Sequence, residues 1–253
     1  MKIAAQLYTV RAFTQTKDDF ADAVKKVAAI GYSGVQLSAH GADIPAEFIA
    51  EACKASGLAI CSTHTPPPQI LNETDKVIAE HKLFGTDQIG IGMMPEEYRA
   101  DLAGVKKFIS DFLPAALKIK EAGMRFAYHN HEFEFGKFDG KMVIDYLMEG
   151  FQSADMQIIL DTFWVQAAGC DPVIWIKKVS GKVPKIHYKD YTVHGRDRRF
   201  AEIGAGNLNW PAIIDASKSA GVEWVIVEQD DSYGRDPYDS LKESYNFLRK
   251  GIK

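Results

Sequence analysis

Hydrophobic and polar positions fall into blocks along the chain, and one block pattern recurs eight times. Each unit is a short apolar run ending in polar residues, followed by a stretch whose apolar residues recur at helical spacing. The runs are "IAAQLY" (3–8), "GVQLS" (34–38), "LAICSTH" (58–64), "DQIGIG" (87–92), "MRFAYHNH" (124–131), "MQIILD" (156–161), "VPKIHYKD" (183–190) and "EWVIVEQD" (223–230). Between them, Phe20, Val24, Val27 and Ala28 share one face of a helix predicted over 18–30. Val105, Phe108, Ile109, Phe112, Ala116 and Ile119 do the same over 102–122. A glycine recurs just before several runs, in "AAIGYSGV", "KASGLAI", "KEAGMRF" and "KSAGVEW". It supplies the left-handed turn that closes a helix before the chain re-enters a sheet.

Eight β-α units predict an α/β fold, a single (β/α)8 barrel over residues 1–253. A doubly wound sheet is the competing architecture, but eight alternations close more naturally than they lie open, and no Pro/Gly/Ser-rich linker divides the chain. An apolar fraction of 46% and a charged fraction of 25% are ordinary for a globular protein. A net charge of -4 argues against a nucleic-acid partner, which calls for a positive excess. No run approaches the roughly 20 apolar residues of a membrane span. The first strand begins too early to leave room for a signal peptide, and Cys53, Cys61 and Cys170 are odd in number without CxxC spacing. A cytoplasmic setting is therefore the expectation.

In such barrels the active site lies where the C-terminal strand ends meet, so the residues that finish each run carry the chemistry. Run six ends in Asp161, run seven carries His187 and run eight reaches Glu228, while run five opens into "RFAYHNHEFEF" (125–135). Each has a bland reading. Asp161 caps the next helix, His187 is a hydrogen-bonded core histidine, or Glu228 pairs with a nearby cation. Their joint occurrence on consecutive strands weighs against these readings, because carboxylates at a partly dehydrated mouth repel one another unless a cation or proton is shared. Oxygen and nitrogen ligands without cysteine suit one divalent ion, Mn, Mg, Co or Zn.

The ordered segments "YHNHEFEF", "LDTFWVQAAGCDP", "KIHYKDY", "EIGAGNLNWPAI" and "VIVEQD" resemble the xylose isomerase-like superfamily of TIM barrels, over nearly the whole chain. The resemblance is strongest to the sugar phosphate isomerase/epimerase branch, with HNHxxEF after strand five. It implies one divalent metal held by Glu, Asp, His and Glu from strands five to eight, and Asp161, His187 and Glu228 match the last three. The first position departs from the pattern: His129 stands where the ketose epimerases end strand five in Glu. Glu134 is the preferred fourth ligand and His129 the runner-up; Glu132 is expected to point outward. Trp164 departs as well, replacing a family His, either as an aromatic wall for a sugar face or as core packing.

The resemblance implies an enzyme acting on a sugar or keto-sugar, with or without a phosphate, through proton abstraction beside a metal-bound carbonyl and an enediolate. Return of the proton gives isomerisation or epimerisation. Loss of a β-substituent gives a lyase or dehydratase, the main alternative. His131, His129 and Glu228 are the acid-base candidates, histidine because its unperturbed pKa lies near neutrality. Gln6, Tyr8, Gln36, His64, Trp164 and Lys189 are expected to contact substrate, with Asp190 and His40 nearby. Arg196 or Arg198 of "HGRDRR" would meet a phosphate if that basic loop is more than a solvated one. His81 receives no role. Gly204 and Gly206 would allow a tight turn near the mouth, and no GxGxxG follows a strand, so no nicotinamide site is expected. An endonuclease IV-like DNA-repair activity is a remote alternative, since it needs three zinc ions and more ligands. A sugar-binding protein without catalysis is a further one. Barrels of this family often pair, so a homodimer is an open expectation, with no apolar stripe to mark its interface.

Overall fold

The computed structural model describes residues 1–252. Eight parallel strands make up one sheet: β1 (Lys2–Gln6), β2 (Gly34–Leu37), β3 (Ala59–Thr63), β4 (Gln88–Ile91), β5 (Arg125–His129), β6 (Gln157–Asp161), β7 (Lys185–Tyr188) and β8 (Trp224–Val227). Their order in the sheet is β3-β2-β1-β8-β7-β6-β5-β4. The ends of this order meet where Thr65 N–H donates to Gly90 O at 2.8 Å and Thr86 Oγ1 donates to Cys61 O at 3.0 Å, so the sheet curls into a nearly closed barrel. This is the (β/α)8 architecture that the eightfold block pattern predicts.

The strands are short and buried on both faces, which is why they read as apolar runs without alternation. Helices α1 (Lys17–Ile30), α2 (Ala46–Ala55), α3 (Pro67–Asn72), α4 (Thr74–Phe84) and α5 (Leu102–Glu121) cover the first half. The second half carries α6 (Val143–Gly150), α7 (Thr162–Ala167), α8 (Pro172–Lys178), α9 (Trp210–Ser219) and α10 (Pro237–Gly251). Phe20, Val24 and Val27 of α1 and Val105, Phe108, Phe112, Ala116 and Ile119 of α5 are buried in the main core, as their spacing requires. Thr16 caps α1 by accepting from Asp19 N–H at 3.1 Å. Gly57 and Gly123 do close their helices in the left-handed region, at φ 73° and 79°.

The block pattern does not reveal two hairpins. One pairs Lys137–Phe138 with Lys141–Met142, and the other pairs Asp190–His194 with Asp197–Ala201 in antiparallel register. The basic "HGRDRR" segment is therefore the turn and flank of a hairpin rather than a simple loop. Among the described residues no helix is long and apolar enough to cross a membrane.

Candidate metal centre and active site

The polar ends of β5 to β8 converge. His129 ends β5, Asp161 ends β6, His187 sits opposite Asp161 on β7, and Glu228 follows β8. Each offers a ligand atom, these atoms all lie within 4.8 Å of one another, and all four residues are buried. His187 Nδ1 is 3.0 Å from Glu228 Oε2 and 3.7 Å from Asp161 Oδ2, and His129 Nε2 is 3.4 Å from the same Asp161 oxygen.

The outer nitrogen of each imidazole fixes its tautomer. His129 Nδ1 lies 2.9 Å from the Gly92 carbonyl oxygen, and His187 Nε2 lies 2.5 Å from Gln36 Oε1. A carbonyl oxygen only accepts, so both outer nitrogens carry the proton and donate. In the neutral rings the inner nitrogens then present lone pairs to the carboxylate oxygens. Lone pair against lone pair at 3.0 Å is repulsive unless a positive centre lies between them, either a metal ion or a proton on His187. Burial lowers the pKa of that imidazole, but Glu228 and Asp161 outweigh burial and raise it. Imidazoles held from behind by carbonyl groups in this manner are the usual arrangement of metal-binding histidines.

Asp161 combines the bland reading with the functional one. Its Oδ1 accepts from Trp164 N–H at 3.0 Å and caps α7, while Oδ2 faces the two histidines. Asn130 Oδ1 accepts from Asp161 N–H at 3.1 Å, fixing the end of β6 from the HNH segment. The sequence reading gives Asn130 no role; its position between two histidines at a strand end is the signal that could have found it.

Glu134 lies outside this group of four. The turn Phe133–Phe135 folds it back beneath β5, where Oε1 accepts from Tyr128 Oη at 2.6 Å and Oε2 from His131 N–H at 2.8 Å. Burial pushes its carboxyl up to about 7. The expected preference for Glu134 as a ligand is corrected: both its oxygens are committed to the turn, and His129 stands at the strand-five position.

Lys189 brings a buried ammonium to the same mouth. Its Nζ is 2.7 Å from Asp230 Oδ1, 3.2 Å from Glu228 Oε2 and 3.8 Å from Asp161 Oδ2, and lies over the rings of Trp164 and Phe200 at 5.0 and 5.1 Å. Burial opposes its charge, but the Glu228, Asp161 and Asp230 carboxylates outweigh burial and raise its pKa. Burial likewise opposes ionisation of Asp161 and Glu228, and the nearby Lys189 ammonium with the histidines holds both carboxyls below the ordinary range. Asp230, with a second carboxylate beside it and no role in the sequence reading, is pushed up to about 6 by burial and by Glu228.

A cavity of about 510 Å³ opens above these groups. Of the expected substrate contacts, Tyr8, His64 and Lys189 line it, together with the acid-base candidates His129, His131 and Glu228. Gln6 and Gln36 do not reach it. Both are fully buried and adjacent in register, with Gln6 Nε2 donating to Gln36 Oε1 at 2.9 Å and reaching His64 Nδ1 at 3.3 Å. They are corrected from substrate contacts to supports of His187 and His64. Trp164 stands outside the lining, its ring 5.1 Å from that of His131. The buried nitrogens His64 Nε2, His131 Nδ1 and Trp164 Nε1 have no hydrogen-bond partner. Burial and neighbouring histidines keep both His64 and His131 neutral, with their pKa values lowered.

Other expected contacts fall elsewhere. Asp190 turns away and pins the loop before α9, accepting from Gly204 N–H, Gly206 N–H and Trp210 Nε1 at 2.8, 3.1 and 2.6 Å. A Cβ on Gly206 would come within 2.4 Å of the Asp190 carboxylate, so the close approach requires glycine there. Arg198 Nη1 donates to Ala167 O at 3.0 Å, and neither it, Arg196 nor His40 lines the cavity. His81, given no role, ties α4 to β3 through Val77 O at 2.7 Å and Thr63 Oγ1 at 2.8 Å.

The family described as xylose isomerase-like TIM barrel matches residues 24–251. A sugar phosphate isomerase/epimerase from Parabacteroides distasonis superposes with a TM-score of 0.82 at 22% identity, covering 100% of this chain and 99% of that one. An L-ribulose 3-epimerase superposes at 0.76 with 15% identity, covering 100% and 95%. A probable 3-DHS dehydratase from Bacillus anthracis gives 0.75 at 13% identity, covering 98% and 99%. At these identities the likeness is one of fold. No functionally curated protein matches the chain.

Proposed function

We propose a function from one premise: the chain belongs to the xylose isomerase-like TIM barrel family. Sugar isomerases and epimerases populate this family, so the chain is an enzyme of that general kind. Its finer chemistry is a divalent-metal-dependent isomerisation or epimerisation of a sugar or keto-sugar, with His129, Asp161, His187 and Glu228 as the ligands. The observation that carries this reading is the pair of inner imidazole nitrogens directed at carboxylate oxygens while their outer nitrogens donate to carbonyl groups. The local charge agrees. Asp161, Glu228 and Asp230 against Lys189 leave two negative charges, the amount a divalent ion balances.

When bound, the ion supplies Lewis acidity that polarises a carbonyl and acidifies the neighbouring carbon-bound proton. The chain's own groups do the rest. Glu228 lines the cavity with a carboxylate held ionised by the Lys189 ammonium 3.2 Å away, as a base requires. His64 presents Nε2–H to a substrate oxygen, because its Nδ1 accepts from Gln6. His131 is a neutral imidazole at the cavity wall whose basicity burial lowers, so it serves as a hydrogen-bonding group toward a substrate oxygen rather than as the base. The hydrocarbon of Met94 and the prolines after β3 limit water at one side of the mouth.

β-Elimination is the second reading. It uses the same first proton transfer, and His131 and His64 offer two further groups to escort a leaving oxygen. DNA repair has no comparable support, since a single group of four potential metal ligands is found among the described residues.

The test is solvent deuterium exchange into a panel of ketoses and keto-glycosides by metal-loaded protein, with metal content measured in parallel. Exchange next to the carbonyl in a member of the panel is expected, and His129→Gln should lower metal content while Glu134→Gln does not. Full metal occupancy in His129→Gln would remove the fourth-ligand assignment.

A further inference from the structure

The cavity above the site is chemically two-sided. Most of its ionisable floor comes from β5 to β8, whereas the wall from α3 and the connections after β3 and β4 carries a run of hydrocarbon, Pro66, Pro67, Pro68, Leu71, Met93 and Met94, beside His64, Glu97 and Arg99. Pro66, Pro68 and Met93 are open to solvent, Met93 at 41% of its surface. An exposed apolar wall continuous with a polar centre is costly unless something apolar covers it. Three consecutive prolines fix the backbone, so the wall stands ready before a ligand arrives.

The polar inventory limits what lies against that wall. The lining contains two cations, Lys189 and Arg99. Lys189 is engaged by three carboxylates. Arg99 Nε donates to Met94 O at 2.6 Å and its guanidinium lies 4.6 Å from the Phe133 ring, with Glu97 also on the rim. A volume of about 510 Å³ also falls in the range of roughly 300–1,000 Å³ that accommodates ligands larger than one sugar ring.

We infer that the β3 and β4 loops form a subsite for an uncharged, apolar substituent carried by the sugar, an aryl or alkyl group, in place of a phosphate. This assignment rests on the proposed sugar chemistry for its polar end. It adds that Met93, Leu71 and the prolines set specificity by burying hydrocarbon.

The test is binding to metal-loaded protein of three probes: phenyl glucoside, methyl glucoside and glucose 6-phosphate, measured by titration and by saturation transfer to the phenyl protons. The phenyl probe should bind at least about tenfold more tightly than the methyl one, from the hydrocarbon it buries. Met93→Glu should erase that preference while its circular dichroism and metal content stay those of the parent protein. Because Met93 is exposed, the variant is expected to fold, and Leu71→Asn gives an independent check on the same wall. Equal affinity for the phenyl and methyl probes, no binding of the phenyl probe, or tightest binding of the phosphate overturns the subsite. Deuterium exchange without a phenyl preference sinks the subsite and leaves the sugar chemistry standing. A phenyl preference in a protein that holds no metal and exchanges no proton does the reverse.

Discussion

The two halves of the barrel contribute to the mouth in different ways. Strands β5 to β8 end in His129, Asp161, His187 and Glu228, whose ligand atoms meet. Strands β1 to β4 end near Gln6, Gln36, His64 and Gly92: Gln36 and the Gly92 carbonyl brace His187 and His129, and Gln6 braces Gln36 and His64. The difference is one of depth. Gln6 and Gln36 are fully buried, one layer below the cavity, so their amides orient histidines and never reach a substrate. The halves also differ in charge, because every ionised group around the proposed ion comes from β6 to β8 or from the segment just after each strand. A polar strand end is therefore not by itself a contact with substrate; which layer it occupies decides that.

Glu228→Gln is the strongest way to break this contrast. It removes a proposed ligand and a proposed base together and leaves Lys189 with one carboxylate fewer. Proton exchange should fall by about 10²–10⁴-fold, the range usual for losing acid-base catalysis, and metal affinity should drop with it. Retention of both in a metal titration and a deuterium-exchange assay would place the chemistry away from β8.

Gln36→Leu tests the supporting half. The leucine fills similar space but no longer accepts from His187 Nε2, freeing the ring to turn. Loss of such a support costs about 10–100-fold in metal affinity. A competition titration against a chelating dye reads this directly. Unchanged affinity would mean that His187 needs nothing from the first half, and the division of labour between the halves would fail.

Legibility in the sequence follows the same division. The fold is readable because the strands are buried on both faces and the helices on one, which writes short unbroken apolar runs alternating with stretches of helical period into the chain. Asp161, His187 and Glu228 are readable because each closes a strand, where the barrel geometry fixes side-chain direction. Glu134 is not, because its direction is set by a turn: five residues beyond His129, the chain has doubled back and the carboxylate lies under Tyr128. The hairpin over 190–201 is hard to read because its one turn signal is Gly195, at the first central position of a two-residue loop, and its strands carry charges in place of an apolar alternation. Asp190 belongs to the same gap. It follows the strand-seven ligand closely, yet most of its partners, three backbone N–H groups and the Trp210 indole, lie more than ten residues further along the chain.

Glu134→Gln gives the smallest effect on the metal and the sharpest reading of the turn. Metal affinity should remain within about twofold of the parent, far below the 10–100-fold expected of a support and smaller still than a ligand's loss. The effect lies in stability against pH. The Glu134 carboxyl is raised by burial to about 7, from an ordinary 4.5 in the unfolded chain. A folded pKa above the unfolded one means that the folded chain retains a proton the unfolded chain releases. The contribution is thus fully present below about pH 4.5 and is lost as pH rises through about 7, by an amount on the order of 3 kcal/mol. The substituted amide has no such proton to lose, so the difference between parent and variant stabilities, measured by urea unfolding at several pH values, should slope across that window and flatten above it. Tyr128 Oη can rotate to accept from the new amide nitrogen, while the amide oxygen still accepts from His131 N–H, which keeps the variant folded. Using the difference cancels Asp161 and Glu228, whose lowered pKa values give the opposite slope at more acidic pH. A flat difference would show that Glu134 is ionised throughout, and then its carboxylate needs a positive partner that the turn alone does not supply.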